Sequence, residues 1–212
     1  MKPAVTLALM FAAGIALLVG LILLRPSPSA PRPDTADPYE PPVELVIPEF
    51  GLVDARGAPV THHALEGRYT VLDFFFTSCP LYCPGMTAQM RRVQGEVESD
   101  RLRLMSISID GGNDTPEVIG AYAAGFGADP ERWTFATGPR ERVWSIVREL
   151  GFLVEEEPGS SVTTPGGETM AMINHPTRLM LVGPDRRIIG LYRYTERDEI
   201  DALIDRLNAL LG

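Results

Sequence analysis

The sequence predicts an α/β fold. From about residue 46 onward, segments rich in β-branched and aromatic residues alternate with segments whose apolar residues recur at helical spacing. One β-like segment, 69–76, is apolar almost throughout, which is typical of a central strand buried on both faces. This alternation predicts a layered domain in which helices pack against a sheet.

The remaining elements follow from local patterns along the chain. Met86, Met90 and Val93 recur at helical spacing and predict an amphipathic helix over 84–98. The polar, Gly/Pro-rich segment 156–169 is predicted to be a loop. The other predicted elements are a strand at 103–109, a helix from Thr115 to about Gly125, a short strand at 133–136, a helix at 141–150, strands at 177–182 and 187–194 around a Gly183-Pro184-Asp185 turn, and a closing helix at 195–211.

The N-terminal region predicts a membrane anchor. An uncharged run covers residues 4–24, between Lys2 and Arg25. A helix needs about 20 apolar residues to cross a bilayer, whereas the apolar part of a signal peptide usually has about 7–15. Residues 1–25 are therefore expected to be an uncleaved transmembrane helix that leaves the domain on the extracytoplasmic (periplasmic) side. A cleaved signal peptide is the alternative.

Two further properties limit the organisation and the partners. Residues 26–45 are rich in proline, which predicts a semi-rigid linker between the anchor and a domain at 46–212. The chain has 28 acidic and 19 basic residues and a formal net charge of −9. Without a basic stripe, this charge argues against a nucleic-acid partner.

The candidate working site is a pair of cysteines. Cys79 and Cys83 lie in the segment TSCPLYCPG, between the strand at 69–76 and the helix that follows. If Cys79 caps that helix and Pro80 begins it, both sulfurs lie near its positive end, which favours the thiolate. Thiolates attack disulfides and bind soft metals. A stabilising disulfide is the alternative, although so short a loop would restrain little chain entropy.

Of the three histidines, His175 is the candidate partner of the cysteines. It lies just before the strand predicted at 177–182, and in a thioredoxin-like sheet the loop entering that strand faces the cysteine end. Two thiolates and an imidazole suit copper. His62 and His63 are expected to be exposed loop residues, and a satisfied polar role for His175 is the alternative. Met170 and Met172 flank the approach to His175 and are candidates for an auxiliary thioether ligand.

Three segments together resemble the Sco/SenC family: FFFTSCPLYCPGM, SISIDGGNDTPEV followed by RWTFATG, and NHPTRLMLVGPD. The resemblance covers about residues 46–211. It implies a thioredoxin-like fold with an N-terminal membrane anchor and copper, Cu(I) or Cu(II), bound by Cys79, Cys83 and His175. It also implies acidic positions at Asp110 and Asp114, with Asp110 near the site.

The resemblance further implies a metallochaperone-like role in assembly of the dinuclear copper centre of cytochrome c oxidase. The partners would be the oxidase subunit that carries this centre and a thiol reductant protein. The segment HPTRLMLVGPD also resembles the stretch of thioredoxins in which a cis-proline faces the cysteines. A membrane-anchored thiol–disulfide oxidoreductase that uses Cys79 and Cys83 is therefore the second hypothesis, and a redox sensor or scaffold is the third.

Overall fold

A computed structural model of the protein describes residues 38–164 and 167–212. The anchor predicted at 4–24 and most of the Pro-rich segment lie outside these residues. Within the described ranges, no helix is both long enough and apolar enough to cross a membrane.

The described residues form the predicted layered α/β fold. Four α-helices accompany the strands: α1 (Cys83–Glu96), α2 (Pro116–Gly125), α3 (Arg140–Glu149) and α4 (Arg197–Leu211). The strands, numbered in chain order, are β1 (Gly51–Asp54), β2 (Pro59–Thr61), β3 (Tyr69–Phe75), β4 (Leu102–Ser108), β5 (Trp133–Thr137), β6 (Glu155–Thr163), β7 (Thr169–Asn174), β8 (Arg178–Val182) and β9 (Ile188–Arg193).

Seven of these strands form one sheet in the order β2-β1-β5-β4-β3-β8-β9. Strands β3, β4 and β5 are parallel, and β8 runs antiparallel to β3. Parallel neighbours need a crossover between them, and α1 and α2 occupy the connections after β3 and β4. The carboxyl end of β3 therefore lies beside the amino end of β8, which brings the chain segments around Cys79 and His175 to one edge of the sheet.

The central strand β3 has the burial that its sequence predicts. Its residues after Tyr69 are all buried, including the polar Thr70 and Asp73. Leu72 pairs with Met105 on one side and with Met180 on the other. Because neighbouring strands cover both of its edges, β3 holds the chain leading to the cysteines in a fixed position.

Part of the segment predicted as a linker lies against the domain. The carbonyl oxygen of Tyr39 accepts a 2.8 Å hydrogen bond from Leu191, and that of Leu45 accepts one of 2.8 Å from Ile188. The Tyr39 ring stacks on Tyr192 at 4.7 Å between centroids. The described chain therefore meets the domain several residues before the predicted boundary at 46.

The prediction of a loop at 156–169 is wrong. Strands β6 and β7 form a separate two-stranded antiparallel hairpin across this region. Most of β6 is exposed, so it lacks the apolar alternation by which a strand is recognised in sequence. Its register shifts between Glu157 and Ser161, and this irregularity accommodates Pro158, which cannot donate a ladder hydrogen bond.

Candidate metal centre

The cysteine loop joins β3 to α1, which begins within one residue of the start predicted at 84. Cys83 is the first residue of α1, and Tyr82 occupies the N-cap position, so Cys79 does not cap the helix. Pro84 follows Cys83 within the first turn, where a missing N–H costs nothing because that donor has no partner within the helix. Cys79 lies in the preceding loop, where its N–H donates to the carbonyl of Phe76 at 3.2 Å.

Both cysteines are free thiols and both are buried. Cys79 is 4% exposed and Cys83 is fully buried, so Cys79 is the more accessible. Between them, Leu81 and Tyr82 are 60% and 47% exposed. The loop therefore hides its sulfurs while presenting two large side chains to solvent.

His175 lies in the connection between β7 and β8 and approaches the cysteine loop from there. Its Nε2 lies 3.6 Å from Cys83 Sγ, and the residue is 6% exposed. Its Nδ1 lies 3.0 Å from the carbonyl oxygen of Pro176. Because a carbonyl can only accept, Nδ1 carries the proton and Nε2 presents its lone pair toward the sulfur.

The Pro176 carbonyl orients the His175 ring, as an acidic side chain orients many metal-binding histidines. Asn174 leaves no carboxylate beside His175, and the backbone supplies the orienting acceptor instead. The ring of Phe76 packs edge-on against the imidazole at 5.8 Å between centroids. None of the described residues follows a cis peptide bond, so Pro176 lacks the cis geometry of the thioredoxin stretch that its sequence resembles.

The two thiols have opposite acidities. A hydrogen bond from Cys83 lowers the pKa of Cys79 to about 3 against the opposing effect of burial. Burial raises the pKa of Cys83 well above its usual value, and the hydrogen bond with Cys79 raises it further. Cys79 is therefore the thiolate of the pair, and Cys83 is the thiol that donates to it.

Asp114 ties the cysteine loop to the end of β4. Its carboxylate accepts hydrogen bonds from the backbone N–H of Thr77, at 3.0 Å, and from the Thr77 hydroxyl. The Ser108 hydroxyl donates to the same carboxylate. Asp114 is fully buried, and the three donors compensate for the loss of water around it. None of these hydrogen bonds involves a cysteine sulfur, so Asp114 supports the site by positioning the loop.

Asp110 is also buried, and it forms an ion pair. Arg140 donates to its carboxylate at 3.0 Å, and Asn113 Nδ2 donates at 2.8 Å. The same Asn113 amide lies 3.4 Å from the thioether sulfur of Met170. Met170 therefore contacts the loop that carries Asp110, while Met172 is buried in the core.

Asp73 is a functional candidate that the sequence pattern did not single out, because one acidic residue in an apolar strand carries no motif. It is fully buried in β3, and neither carboxylate oxygen has a hydrogen-bond partner of normal geometry. Burial raises its pKa to about 6, with Ser106 and His175 opposing the shift. Its charge in turn contributes to the raised pKa of Cys83, so Asp73 and the cysteine site influence each other.

Comparison with known proteins identifies the family. The family model of SCO1/SenC matches residues 40–212. A protein from Stutzerimonas stutzeri that is named as copper-binding is 32% identical over 155 residues, which cover 72% of this chain and 71% of its own.

Two solved structures share the fold. BsSco, a member of the Sco family of cytochrome c oxidase assembly proteins, superimposes with a TM-score of 0.64 at 26% identity, covering 80% of this chain and 95% of its own. A SCO1/SenC family lipoprotein from Bacillus anthracis gives a TM-score of 0.65 at 23% identity, covering 79% and 96%. The family model matches most of the chain, and the chain belongs to the SCO1/SenC family.

Proposed function

We propose that the protein binds copper through Cys79, Cys83 and His175 and delivers it during assembly of the dinuclear copper centre of cytochrome c oxidase. The observation that carries this proposal is the 3.6 Å approach of His175 Nε2 to Cys83 Sγ. The copper-binding name of the Stutzerimonas relative and the oxidase-assembly role of the Sco family support it.

The donor set fits copper. Soft sulfur ligands select Cu(I), and imidazole suits copper in either oxidation state. His175 offers a lone pair on the nitrogen nearest the sulfur, and Cys79 is already the more acidic thiol. Metal binding would displace the proton that Cys83 retains in the free protein. Among the described residues, these three donor atoms do not form a group within 4.8 Å of one another, so binding one ion requires side-chain movement.

Copper is cargo in this proposal, and the surface around the cysteines suits a transfer site. Leu81 and Tyr82 project from the loop between the two ligands, so an acceptor that packs on them would come close to both sulfurs. Ligands from the acceptor would replace those of this chain one at a time, and the copper would never be released to solvent. Leu81 and Tyr82 would supply the apolar contact that holds the two proteins together during the exchange.

The cellular setting is part of the same proposal. Residues 1–25 anchor the protein in the membrane, with the domain on the extracytoplasmic (periplasmic) side, facing the oxidase subunit that receives copper. The Bacillus anthracis neighbour of the same fold is a lipoprotein. Two free thiols in an oxidising compartment need a partner that keeps them reduced, which implies a thiol reductant protein.

Titration of the reduced, full-length protein with Cu(I), in competition with a Cu(I) chelator, tests the proposal. We expect one tightly bound Cu(I), with sulfur and nitrogen in its X-ray absorption spectrum. The Cys79→Ser/Cys83→Ser variant should lose this binding. Equal competition for Cu(I) by the wild type and the double variant would contradict the proposal.

Thiol–disulfide exchange is the second candidate, and the unequal acidity of the two thiols favours it. The Cys79 thiolate would attack a partner disulfide and release one partner thiolate. Cys83, once deprotonated, would then displace the second partner sulfur and leave a Cys79–Cys83 disulfide. Two electrons would pass to the partner, and the reductant protein would restore the dithiol.

A further inference from the structure

A second group of metal-ligand side chains lies away from the cysteines. His62, His63 and Glu66 each offer a ligand atom, and the three atoms lie within 4.8 Å of one another. His62 and His63 belong to a 3-10 helix, His62–Leu65, in the connection between β2 and β3, and Glu66 follows it directly. The mechanism proposed for the cysteine site uses none of these residues.

The local fold explains why these side chains converge. Residues three apart in a 3-10 helix lie one above the other, which places His63 and Glu66 on the same edge. The fully buried Leu65 anchors the turn in the core. At its end the N–H of Gly67 donates to the carbonyl of Pro184 at 2.9 Å, and Gly67 has a φ of +73°, a conformation that favours glycine. The Leu65 side chain and the Gly67 hydrogen bond therefore both fix the position of the turn.

The distances suit a metal ion of ordinary bond length. His63 Nδ1 and Glu66 Oε2 are 3.0 Å apart. Two ligands bound about 2.1 Å from one ion at tetrahedral or right angles are themselves about 3.0–3.4 Å apart. The His62 and His63 rings lie against each other, with centroids 4.1 Å apart. A small rotation therefore brings an imidazole nitrogen of His62 into the same coordination sphere.

The chemical state of the three residues also suits binding. Nδ1 of His62 is buried and has no hydrogen-bond partner among the described residues, so this ring nitrogen is unsatisfied in the metal-free protein. Glu66 Oε2 accepts a hydrogen bond from His63 Nδ1, and an incoming ion would displace that proton. Arg186 lies 3.7 Å from the other oxygen, Oε1, and leaves Oε2 to face His63. The side chains of His63 and Glu66 are 69% and 45% exposed, so an ion reaches them from solvent.

This cluster and the cysteine site lie at opposite ends of one strand. Glu66 precedes β3, and Cys79 follows it. A strand of seven residues such as β3 spans about 20 Å at 3.3 Å per residue. One ion therefore cannot bridge both sites, and each has its own ligand chemistry: sulfur with imidazole at one end, imidazole with carboxylate at the other.

We propose that His62, His63 and Glu66 form a second metal site, which takes a divalent cation of the class of Cu(II) or Zn(II). Imidazole and carboxylate ligands suit these ions, whereas Cu(I) favours the thiolates. The remaining coordination positions would be filled by water, so the ion would exchange with solvent. The proposal stands independently of copper binding by the cysteines.

The test uses the full-length Cys79→Ser/Cys83→Ser/His175→Ala variant, which lacks every ligand of the first site. Zn(II) should bind with a stoichiometry of one by equilibrium dialysis, and Cu(II) should show imidazole nitrogen couplings by electron paramagnetic resonance. Adding His63→Ala or Glu66→Gln should weaken binding at least about tenfold. Glu98→Gln, which changes an exposed glutamate elsewhere, should leave it unchanged. Failure to bind, or equal loss with Glu98→Gln, would overturn the proposal.

A second measurement keeps the test decisive if that variant does not fold. In the otherwise native chain, His63→Ala should lower the amount of bound Zn(II) by one equivalent, whatever the cysteines bind. An unchanged stoichiometry would overturn the second site. If the native chain binds this Zn(II) equivalent but binds no Cu(I), the result contradicts the proposed function and leaves the second site in place.

Discussion

His175 and Cys83 are 92 residues apart in the chain, yet Nε2 of one lies 3.6 Å from Sγ of the other. The antiparallel pairing of β3 with β8 creates this contact, since the end of one strand lies beside the start of the other. The proton on Nδ1, held by the Pro176 carbonyl, leaves Nε2 free for a metal or a thiol. Both functional hypotheses start from this geometry. Copper binding requires the imidazole as a ligand, whereas disulfide exchange does not require it.

The first prediction concerns the reactivity of the two thiols. Because the pKa of Cys79 is about 3 and that of Cys83 is raised, only Cys79 is a thiolate between pH 5 and 8. Alkylation of the reduced protein by iodoacetamide, located by peptide mass spectrometry, should modify Cys79 first. Its rate should vary little over this range. Preferential modification of Cys83, or a rate rising about tenfold per pH unit, would contradict the assignment.

The second prediction concerns Asp73. Its pKa rises from 3.8 in the unfolded chain to about 6 in the fold, so the native state retains a proton that the unfolded chain has lost. This group's contribution to stability is greatest below pH 4 and falls by up to about 3 kcal/mol as the pH rises through 6. Asp73→Asn should therefore gain stability relative to the wild type between pH 4 and 8 in urea unfolding. Asp205→Asn, on the surface, is the control, and a difference independent of pH would refute the prediction.

The third prediction concerns the buried ion pair. The Asp110 side chain is fully buried, so Arg140→Ala would leave its carboxylate without its cation. We expect a loss of about 3 kcal/mol in the free energy of unfolding. Arg187→Ala, which removes an exposed pair with Glu44, should cost less than about 1 kcal/mol. Similar losses for the two variants would show that Arg140 does not compensate Asp110.

The fourth prediction concerns the N-terminal segment. The full-length protein should remain with the membrane after carbonate extraction, because about 20 apolar residues span the bilayer core. Deletion of residues 1–25 should release the domain into the soluble fraction with unchanged circular dichroism. Recovery of a soluble native protein that lacks these residues would show that the segment is a cleaved signal peptide.

Local sequence patterns were sufficient for β3, which is apolar almost throughout, and for helices with apolar residues at helical spacing, such as α1. They failed for β6 and β7, whose exposed, charged residues give no apolar alternation and whose stability depends on backbone pairing. They placed the start of α1 within one residue of Cys83 but left open a start at Pro80, because Pro80 and Pro84 are both compatible with a first turn. Asp114, in the loop that follows β4, accepts a hydrogen bond from Thr77 at the start of the cysteine loop, and local patterns do not reveal such a tertiary contact.

The candidate site was predictable to a similar degree. The cysteine motif and the position of His175 before a strand were enough to predict that these residues meet. The supporting contacts were not predictable from spacing: the Pro176 carbonyl replaces a missing carboxylate, and Arg140 reaches Asp110 from α3. Such partners are set by tertiary packing rather than by a local motif. The same applies to His62, His63 and Glu66, which a loop assignment left without a role.

The measurement that tests the central claim most directly compares Cu(I) affinity and disulfide cycling in two single variants. His175→Ala removes the imidazole, whereas Pro176→Ala keeps the carbonyl that orients it. We expect His175→Ala to weaken Cu(I) binding at least about tenfold while Cys79 and Cys83 still cycle between dithiol and disulfide. Pro176→Ala should bind Cu(I) like the wild type. Unchanged Cu(I) affinity in His175→Ala, with disulfide turnover impaired only in Pro176→Ala, would contradict copper carriage and favour the oxidoreductase.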